Sequence, residues 1–289
     1  MTIAILVAGL WPFNFWARNK VEWLKGENGV RFFGQGIIYS EQIIPEPKRG
    51  LFLEWPISIE IWLEAQSEPN SHLSRIFSLY DAKDSEISFL AQWESTLILR
   101  TKVFQPNGRS IYKEVGVEKA LSKGLRRFIT ITSAEKGTHI YLDGKLEQIF
   151  PYYSFIPKNA TTLSQIILGN SPAGKNYWAG NVYALAIYNG SLSSDRVSQN
   201  FQNWKKRNFP LLLEESKPLA FFPFAEGYGT KIHDPINLSI LFAPPKITFH
   251  GKMFLVHPWQ DFRFNLSYFN DIASNILGFI PFAFLLSVY

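Results

Sequence analysis

The sequence contains no cysteine, which excludes disulfide bonds, thiolate metal ligands and a cysteine nucleophile. Its five histidines show no paired metal-ligand spacing, and no G-x-S-x-G turn offers a serine nucleophile. The positive charge excess is small, +5 over 289 residues, and the basic residues are dispersed apart from two short runs. Since nucleic-acid binding depends on a continuous basic patch, we expect no nucleic-acid partner.

Apolar and aromatic residues are abundant, at 46% and 16% of the chain, which is enough for a sizeable core. Every second residue from Ile57 to Leu63 is apolar, and this period of two predicts a half-buried strand. Further strands are predicted over 75–80, 87–92, 96–103, 128–133, 139–142, 165–168 and 181–188. Asp143-Gly144 predicts a tight hairpin, and Ser193 is placed to cap one helix over Ser194–Trp204. The pattern predicts an all-β sandwich.

These elements resemble, in order, the laminin-G-like (LamG), concanavalin A-like jelly roll. The resemblance rests on SIEIWL at 58–63, FITIT at 128–132, HIYLDGK at 139–145, ILGN at 167–170 and WAGNVYALAIYN at 178–189, with Leu192-Ser193 opening the helix. It covers residues 30–205 and implies a sandwich that displays a binding or scaffolding surface. Downstream, FFPFAEGYGTKIHD at 221–234 is similar to the opening strand of such domains and is expected to add a strand or to belong to a connector.

Residues 272–289 form an uncharged stretch that would be about 27 Å long as a helix, close to the hydrocarbon thickness of about 30 Å. This length predicts a transmembrane helix. A buried core helix or an apolar tail is the alternative. The segment resembles the opening helix of VanZ-like membrane proteins through Asp271, Asn275, Gly278 and Pro281, with Ala283 where the family usually has glycine.

The beginning of the chain carries an apolar run followed by an aromatic cluster from Trp11 to Trp16, of the kind found at headgroup level. We interpret it as the end of a helix that starts further upstream, or as a buried strand. The predicted organisation is a partial N-terminal transmembrane segment at 1–16, a LamG-like sandwich at 17–206, a Pro-rich connector with a potential extra strand at 207–268, and a truncated VanZ-like transmembrane helix at 269–289. The chain is thus expected to be a fragment of a longer bacterial membrane protein.

Two sequence patterns were candidates for catalysis, and neither fits. Glycoside hydrolases of this fold use E-x-D-x-x-E, but Trp62 takes the aspartate position between Glu60 and Glu64. Four residues along a strand span about 13 Å, beyond the roughly 5–9.5 Å of glycosidase acid pairs, so we expect two exposed glutamates and no catalytic residue. The P-loop-like GNSPAGKN at 169–176 precedes a strand rather than a helix, which predicts a loop between strands.

That loop is the candidate ligand site. Tyr177 and Trp178 could stack on a sugar ring, while Asn170 and Asn176 could hydrogen-bond its hydroxyl groups. Packing of the two aromatic rings in the core or at the loop rim is the alternative.

LamG-like folds often hold calcium at their loop rim, and Asp81 and Asp84 are the candidate metal ligands, although no D-x-D-x-D-G spacing fixes them. No cofactor is expected unless calcium binds there. The sequence predicts a non-catalytic module, anchored in the membrane and lying outside the cytoplasm, that binds a cell-envelope saccharide. A structural domain that docks a membrane protein partner and a concanavalin A-like glycoside hydrolase are the two alternatives.

Overall fold

The computed structural model describes residues 17–40, 56–66, 73–81, 86–105, 108–157, 163–206, 214–236 and 240–247. All of them belong to the first of the two units into which the chain divides, 1–249. In this part the protein is a β-sandwich of two eight-stranded antiparallel sheets, accompanied by a two-stranded ribbon. The predicted all-β sandwich is confirmed.

Within the described ranges, a 12-residue helix follows the fourteenth strand. In chain order the elements are β1 (Ala17–Arg18), β2 (Val21–Trp23), β3 (Val30–Phe33), β4 (Ile38–Ser40), β5 (Ile57–Ala65), β6 (Ser74–Asp81), β7 (Glu86–Trp93), β8 (Thr96–Phe104), β9 (Ser110–Val117), β10 (Arg126–Ala134), β11 (Gly137–Leu142), β12 (Lys145–Phe150), β13 (Leu163–Leu168), β14 (Ala179–Asn189), α1 (Ser194–Lys205), β15 (Ala220–Phe222), β16 (Lys231–His233), β17 (Ile240–Phe242) and β18 (Lys246–Ile247).

The first sheet has the order β12-β11-β10-β5-β14-β3-β2, with β15 also paired to β14, and the second has the order β16-β17-β4-β13-β6-β7-β8-β9. Their facing sides form the core, to which Ile59 and Ile61 of the first sheet and Leu99 of the second contribute fully buried side chains. The alternation predicted for β5 therefore places its isoleucines correctly. The opposite side of the first sheet is called its outer face below.

The hairpin between β11 and β12 has the predicted two-residue turn. Asp143 and Gly144 have φ values of 51° and 78°, the left-handed conformation that a type I′ turn requires at both positions. The Asp143 carboxylate also ties the turn to β10. Its Oδ1 accepts a 3.0 Å hydrogen bond from the Phe128 backbone N–H, and its Oδ2 lies 2.5 Å from Arg127 Nη1.

Helix α1 lies on the outer face of the first sheet, where Trp204 packs in one cluster with Phe128, Tyr188 and Phe221. The Ser193 side chain caps it by accepting a hydrogen bond of 3.3 Å from the Arg196 backbone N–H. The predicted cap is confirmed, and the helix extends one residue beyond the predicted end.

The region expected to be a connector contributes four of the strands. β15 extends the first sheet, β16 and β17 extend the second, and β18 pairs with β1. Prolines lie between these short strands and keep them apart in sequence. The apolar residues of the strands are buried, including Phe222 and Leu241. The sandwich thus continues well past residue 206.

Among the described residues, no helix has both the length and the apolar character needed to cross a membrane. The two segments predicted to do so, 1–16 and 272–289, lie outside the described residues. Their membrane role stays a prediction.

Candidate functional site

The Trp178 ring is buried in the core, so the predicted stacking of this ring on a sugar is corrected. Its exposure is 0%, its centroid lies 6.0 Å from that of Phe32, and its indole N–H donates a 2.7 Å hydrogen bond to Gln92 Oε1. The ring lies so close to Gly180 that a Cβ there would come within 2.3 Å of it. Trp178 therefore packs in the core, which was the alternative to sugar stacking.

Asn170 is also withdrawn from the surface, with an exposure of 0%. Its Oδ1 accepts a 2.8 Å hydrogen bond from the Ser171 backbone N–H, which shapes the loop, while its Nδ2 is buried without a hydrogen-bond partner among the described residues. Asn176 ties the loop to the start of β6, because its Nδ2 donates to the Leu73 carbonyl and its own carbonyl accepts from the Arg75 N–H. Both asparagines therefore serve mainly to hold the loop.

Tyr177 is half-buried, and its ring lies 3.3 Å from the Cβ that would be built on Gly34. Asp81 ends β6 and pairs with Leu163, whereas Asp84 lies outside the described residues. No group of three or more histidine, aspartate or glutamate side chains within the described ranges could hold a metal ion. The calcium site stays a prediction.

Glu60 is fully buried, which corrects the expectation of an exposed strand glutamate. Its Oε2 accepts hydrogen bonds from Tyr188 Oη at 2.6 Å and from Trp204 Nε1 at 3.2 Å, and its Oε1 accepts one from Asn200 Nδ2 at 3.0 Å. The reason is helix α1, which covers this part of the outer face and supplies two of the three donors. Burial raises the pKa of Glu60 from 4.5 to about 7, although hydrogen bonds from Tyr188, Asn200 and Trp204 oppose this shift.

The Glu64 carboxylate also makes contacts with neighbouring side chains. Its Oε2 accepts a 2.7 Å hydrogen bond from Tyr183 Oη and lies 3.8 Å from Arg126 Nε, and Gln66 Nε2 donates to its Oε1. Helix α1 covers Glu60, and Glu64 is bonded to Tyr183 and Gln66, so these two carboxyl groups are not both accessible to a substrate. The alternative of a glycoside hydrolase that acts through this pair finds no support in the geometry.

A cavity of about 280 Å³ opens on the outer face, next to the end of helix α1. Strands β5, β10 and β14 are adjacent in the first sheet and bring distant parts of the chain together here. The lining residues are Glu27, Asn28, Trp62, Arg126, Tyr183, Ala184, Trp204, Lys205 and Pro223. We call this the α1 cavity.

Trp62 is the half-buried aromatic residue of the α1 cavity. Its neighbours Phe128 and Tyr183 have ring centroids 6.1 and 6.5 Å away and meet it edge-on, at 86° and 64°. Neither ring stacks in parallel on the indole. Tyr183 reaches the outer face because the β14 register shifts between Val182 and Ala184, and such a bulge redirects a side chain.

Arg126 supplies polar contacts on one side of the cavity. Its guanidinium lies 3.7 Å from the centroid of the Tyr183 ring, and its Nη2 donates to both Glu27 carboxylate oxygens at 3.2 and 3.1 Å. Lys205, in the last turn of α1, has no ion-pair partner in the described part of the chain. The cavity therefore combines aromatic surface with donors, acceptors and a cation, a composition typical of sites that bind small polar ligands.

A larger cavity of about 460 Å³ lies beside the turn between β10 and β11. Its lining residues are Pro56, Thr132, Ala134, Glu135, Lys136, Gly137, His139 and Ser191. The only aromatic ring among these lining residues is the imidazole of His139, which offers a sugar less stacking surface than the indole of Trp62 in the α1 cavity. The α1 cavity is the better candidate despite its smaller volume.

Comparisons with solved structures give partial matches at low sequence identity. The Ruminococcus gnavus IT-sialidase CBM40 bound to alpha2,3 sialyllactose has a TM-score of 0.45 and 13% identity, over 60% of this chain and 96% of that one. The HCR/D W1238A mutant has a TM-score of 0.50 and 13% identity, over 65% and 46%. The botulinum neurotoxin serotype D ligand binding domain in complex with N-acetylneuraminic acid has a TM-score of 0.49 and 14% identity, over 65% and 45%. This chain thus spans less than half the length of the latter two.

No curated protein matches the sequence significantly. Residues 45–198 match the Laminin_G_3 family, described as the concanavalin A-like lectin/glucanases superfamily. The match extends from before β5 to the first turn of helix α1, and so includes the strands that build the α1 cavity. Because it spans just over half of the 289 residues, the chain belongs to the Laminin_G_3 family of the concanavalin A-like lectin/glucanase superfamily.

Proposed function

We propose that this protein is a non-catalytic glycan-binding module and that the α1 cavity is its binding site. The composition of that cavity carries the proposal. A sugar ring has an apolar C–H face that packs on an aromatic side chain, and hydroxyl groups at its edge that need donors and acceptors. Trp62 supplies the first kind of contact, and Asn28, Arg126 and Lys205 are positioned for the second.

The superfamily description names both lectins and glucanases, so binding and cleavage of glycans are both open at the level of the family. The environments of Glu60 and Glu64 on β5 favour glycan binding over glycan cleavage. Glu60 is buried beneath helix α1, and Glu64 is held by Tyr183. A glycosidase needs two accessible carboxyl groups on either side of the scissile bond, and this pair does not provide them.

The first experiment is a glycan array that carries sialylated, neutral and uronic-acid oligosaccharides, followed by titration of wild type and Trp62→Ala. Loss of one stacking ring is expected to weaken binding by about five- to thirtyfold, on the order of 1–2 kcal/mol. Trp93→Ala is the matched control, because Trp93 is 52% exposed and does not line the cavity. Its affinity should equal that of wild type.

Unchanged affinity of a folded Trp62→Ala variant would place the site elsewhere on the protein. An array without any binder would favour the alternative of a domain that docks a protein partner. Circular dichroism of each variant separates lost binding from lost folding, since a variant that retains its spectrum has retained the sandwich.

We also propose that the module is held at the bacterial cell membrane, outside the cytoplasm, where its ligand would be a cell-envelope saccharide. The support is the uncharged stretch 272–289, which is long enough to span the hydrocarbon layer, together with its resemblance to VanZ-like proteins. Ending the chain at Tyr268 should move the protein from the detergent phase to the aqueous phase. Equal partition of the two forms would contradict the proposal.

A further inference from the structure

A row of polar side chains crosses the outer face of the first sheet beside the α1 cavity. Each of five neighbouring strands contributes one residue, paired in register with the next: Arg126, Glu64, Asn181, Arg31 and Glu22. Residues directly opposite one another in a sheet lie on the same face. The row therefore leads away from the cavity, which Arg126 lines, as far as strands β3 and β2. We call it the polar row.

The middle of the polar row is held in place by its own hydrogen bonds. Arg31 Nε donates to Asn181 Oδ1 at 2.9 Å, and Asn181 Nδ2 donates to Tyr183 Oη at 3.1 Å. Tyr183 donates in turn to Glu64 and carries the Arg126 guanidinium over its ring. Asn181 and Tyr183 are buried, whereas Arg31 and Arg126 are exposed. Two positioned guanidinium groups thus face the solvent between the cavity and β3.

Phe33 lies at the far end of this path. It follows Arg31 by two residues on β3, so the two side chains share the outer face, and Arg31 Cζ lies 5.7 Å from the centroid of the Phe33 ring. Phe33 is 46% exposed, whereas its neighbour Phe32 is buried in the core. A small residue, Ala179 of β14, lies opposite Phe33 in register. An exposed ring beside a guanidinium group offers an apolar face together with hydrogen-bond donors, as the α1 cavity does.

Tyr177 lies next to this end of the path. Its half-buried ring is 3.3 Å from the Cβ that would be built on Gly34, the residue after Phe33. Of the two rings that the sequence assigned to a sugar site, Tyr177 is therefore the one that the fold leaves near an exposed aromatic residue.

The register gives the separation of Trp62 and Phe33. Strand β14 lies between β5 and β3, so the two backbones are about 10 Å apart across the sheet. Phe33 is level with Ala179, whose carbonyl accepts a hydrogen bond from the Gln66 N–H. Gln66 is four residues beyond Trp62, a step of about 13 Å along the strand direction. The diagonal from Trp62 to Phe33 is thus about 16 Å.

We infer that the glycan site extends from the α1 cavity along the polar row to Phe33, and that its ligand is a linear oligosaccharide of at least four sugar residues. This extended site rests on the proposed function, because the α1 cavity is its first part. A disaccharide is too short to reach from Trp62 to Phe33, whereas the first and fourth rings of a tetrasaccharide stack on them. The guanidinium groups of Arg126 and Arg31 donate to the hydroxyl groups of the sugars between.

A ligand that is already held in the cavity reaches Phe33 without a second loss of translational freedom, so the second contact adds to its affinity. Four length series test this: chito-, cello-, oligogalacturonate and α2,8-linked oligosialic acid, each from the disaccharide to the hexasaccharide, titrated against the whole chain in detergent. In a series that binds, affinity should rise about tenfold from the disaccharide to the tetrasaccharide, the gain from a second stacking ring, and then level off.

Phe33→Ala should remove this gain for the tetrasaccharide and leave the affinity for the disaccharide unchanged, whereas Trp62→Ala should weaken the binding of both. Phe33→Tyr retains a ring and should retain the gain. Phe104→Ala is the matched control, because Phe104 is also exposed but lies on β8 of the second sheet. It should bind every length as wild type does. Circular dichroism verifies that each variant is folded.

A tetrasaccharide that binds no more tightly than the disaccharide would overturn the extended site. Unchanged tetrasaccharide affinity of Phe33→Ala would do the same, and both results would leave the α1 cavity as a binding site. Binding by none of the four series would also overturn the extended site, while the wider array and Trp62→Ala decide the proposed function separately.

Discussion

Trp62 and Trp178 occupy contrasting regions of the protein. Trp178 follows a glycine- and asparagine-containing loop between β13 and β14, yet its ring lies in the core. Trp62 lies in the middle of β5, yet it lines a cavity on the outer face. The comparison shows that position on a loop or a strand does not decide whether a ring is accessible. What lies above the ring in space decides it, and for Trp62 the covering helix α1 stops short of the ring.

The largest effect that tests this comparison is that of Trp178→Ala. Removing a fully buried tryptophan leaves a cavity in the core, so the free energy of unfolding should fall by about 3–5 kcal/mol. Trp93→Ala, at a largely exposed ring, should change it by about 0.5 kcal/mol or less. Urea denaturation followed by circular dichroism measures both. Similar small changes in the two variants would mean that the Trp178 ring is accessible after all.

A smaller effect, on the outer face, is the pH dependence of stability. Glu60 has a pKa near 7 in the folded protein against 4.5 ordinarily, so its contribution to stability is complete below about pH 4.5 and is lost as the pH rises through 7. The full change is on the order of 3 kcal/mol. The midpoint of urea unfolding should therefore decrease from pH 5 to pH 8 in wild type, and much less in Glu60→Gln. An equal decrease in both would assign the dependence to other groups.

The local features of the fold could be predicted from the sequence. The alternation in 57–63 predicts β5 and its core-facing isoleucines, Asp143-Gly144 predicts the hairpin, and Ser193 predicts the start of helix α1. Each of these depends on neighbours in sequence. A period of two, a left-handed turn and a helix cap are decided by the local backbone.

The candidate site could not be predicted, because its residues meet only after folding. Trp62, Arg126 and Tyr183 lie on β5, β10 and β14, which are adjacent in the sheet but far apart in sequence. Alternation assigned Glu60 correctly to the outer face but could not show that a helix more than 130 residues later covers it. The β14 bulge that turns Tyr183 outward likewise breaks the simple alternation on which the prediction of faces depends.

The ribbon of β1 and β18 has a mechanical consequence. Ala17 pairs with Ile247, and Arg18 pairs with Lys246, in antiparallel order, so the first and the last described residues of the sandwich lie side by side. Tension applied to the ends at Ala17 and Ile247 would break the hydrogen bonds of this ribbon one residue pair at a time, before it could shear the large sheets. Ends that lie side by side also let a domain be inserted into a surface loop of another protein without forcing the ends of that loop apart.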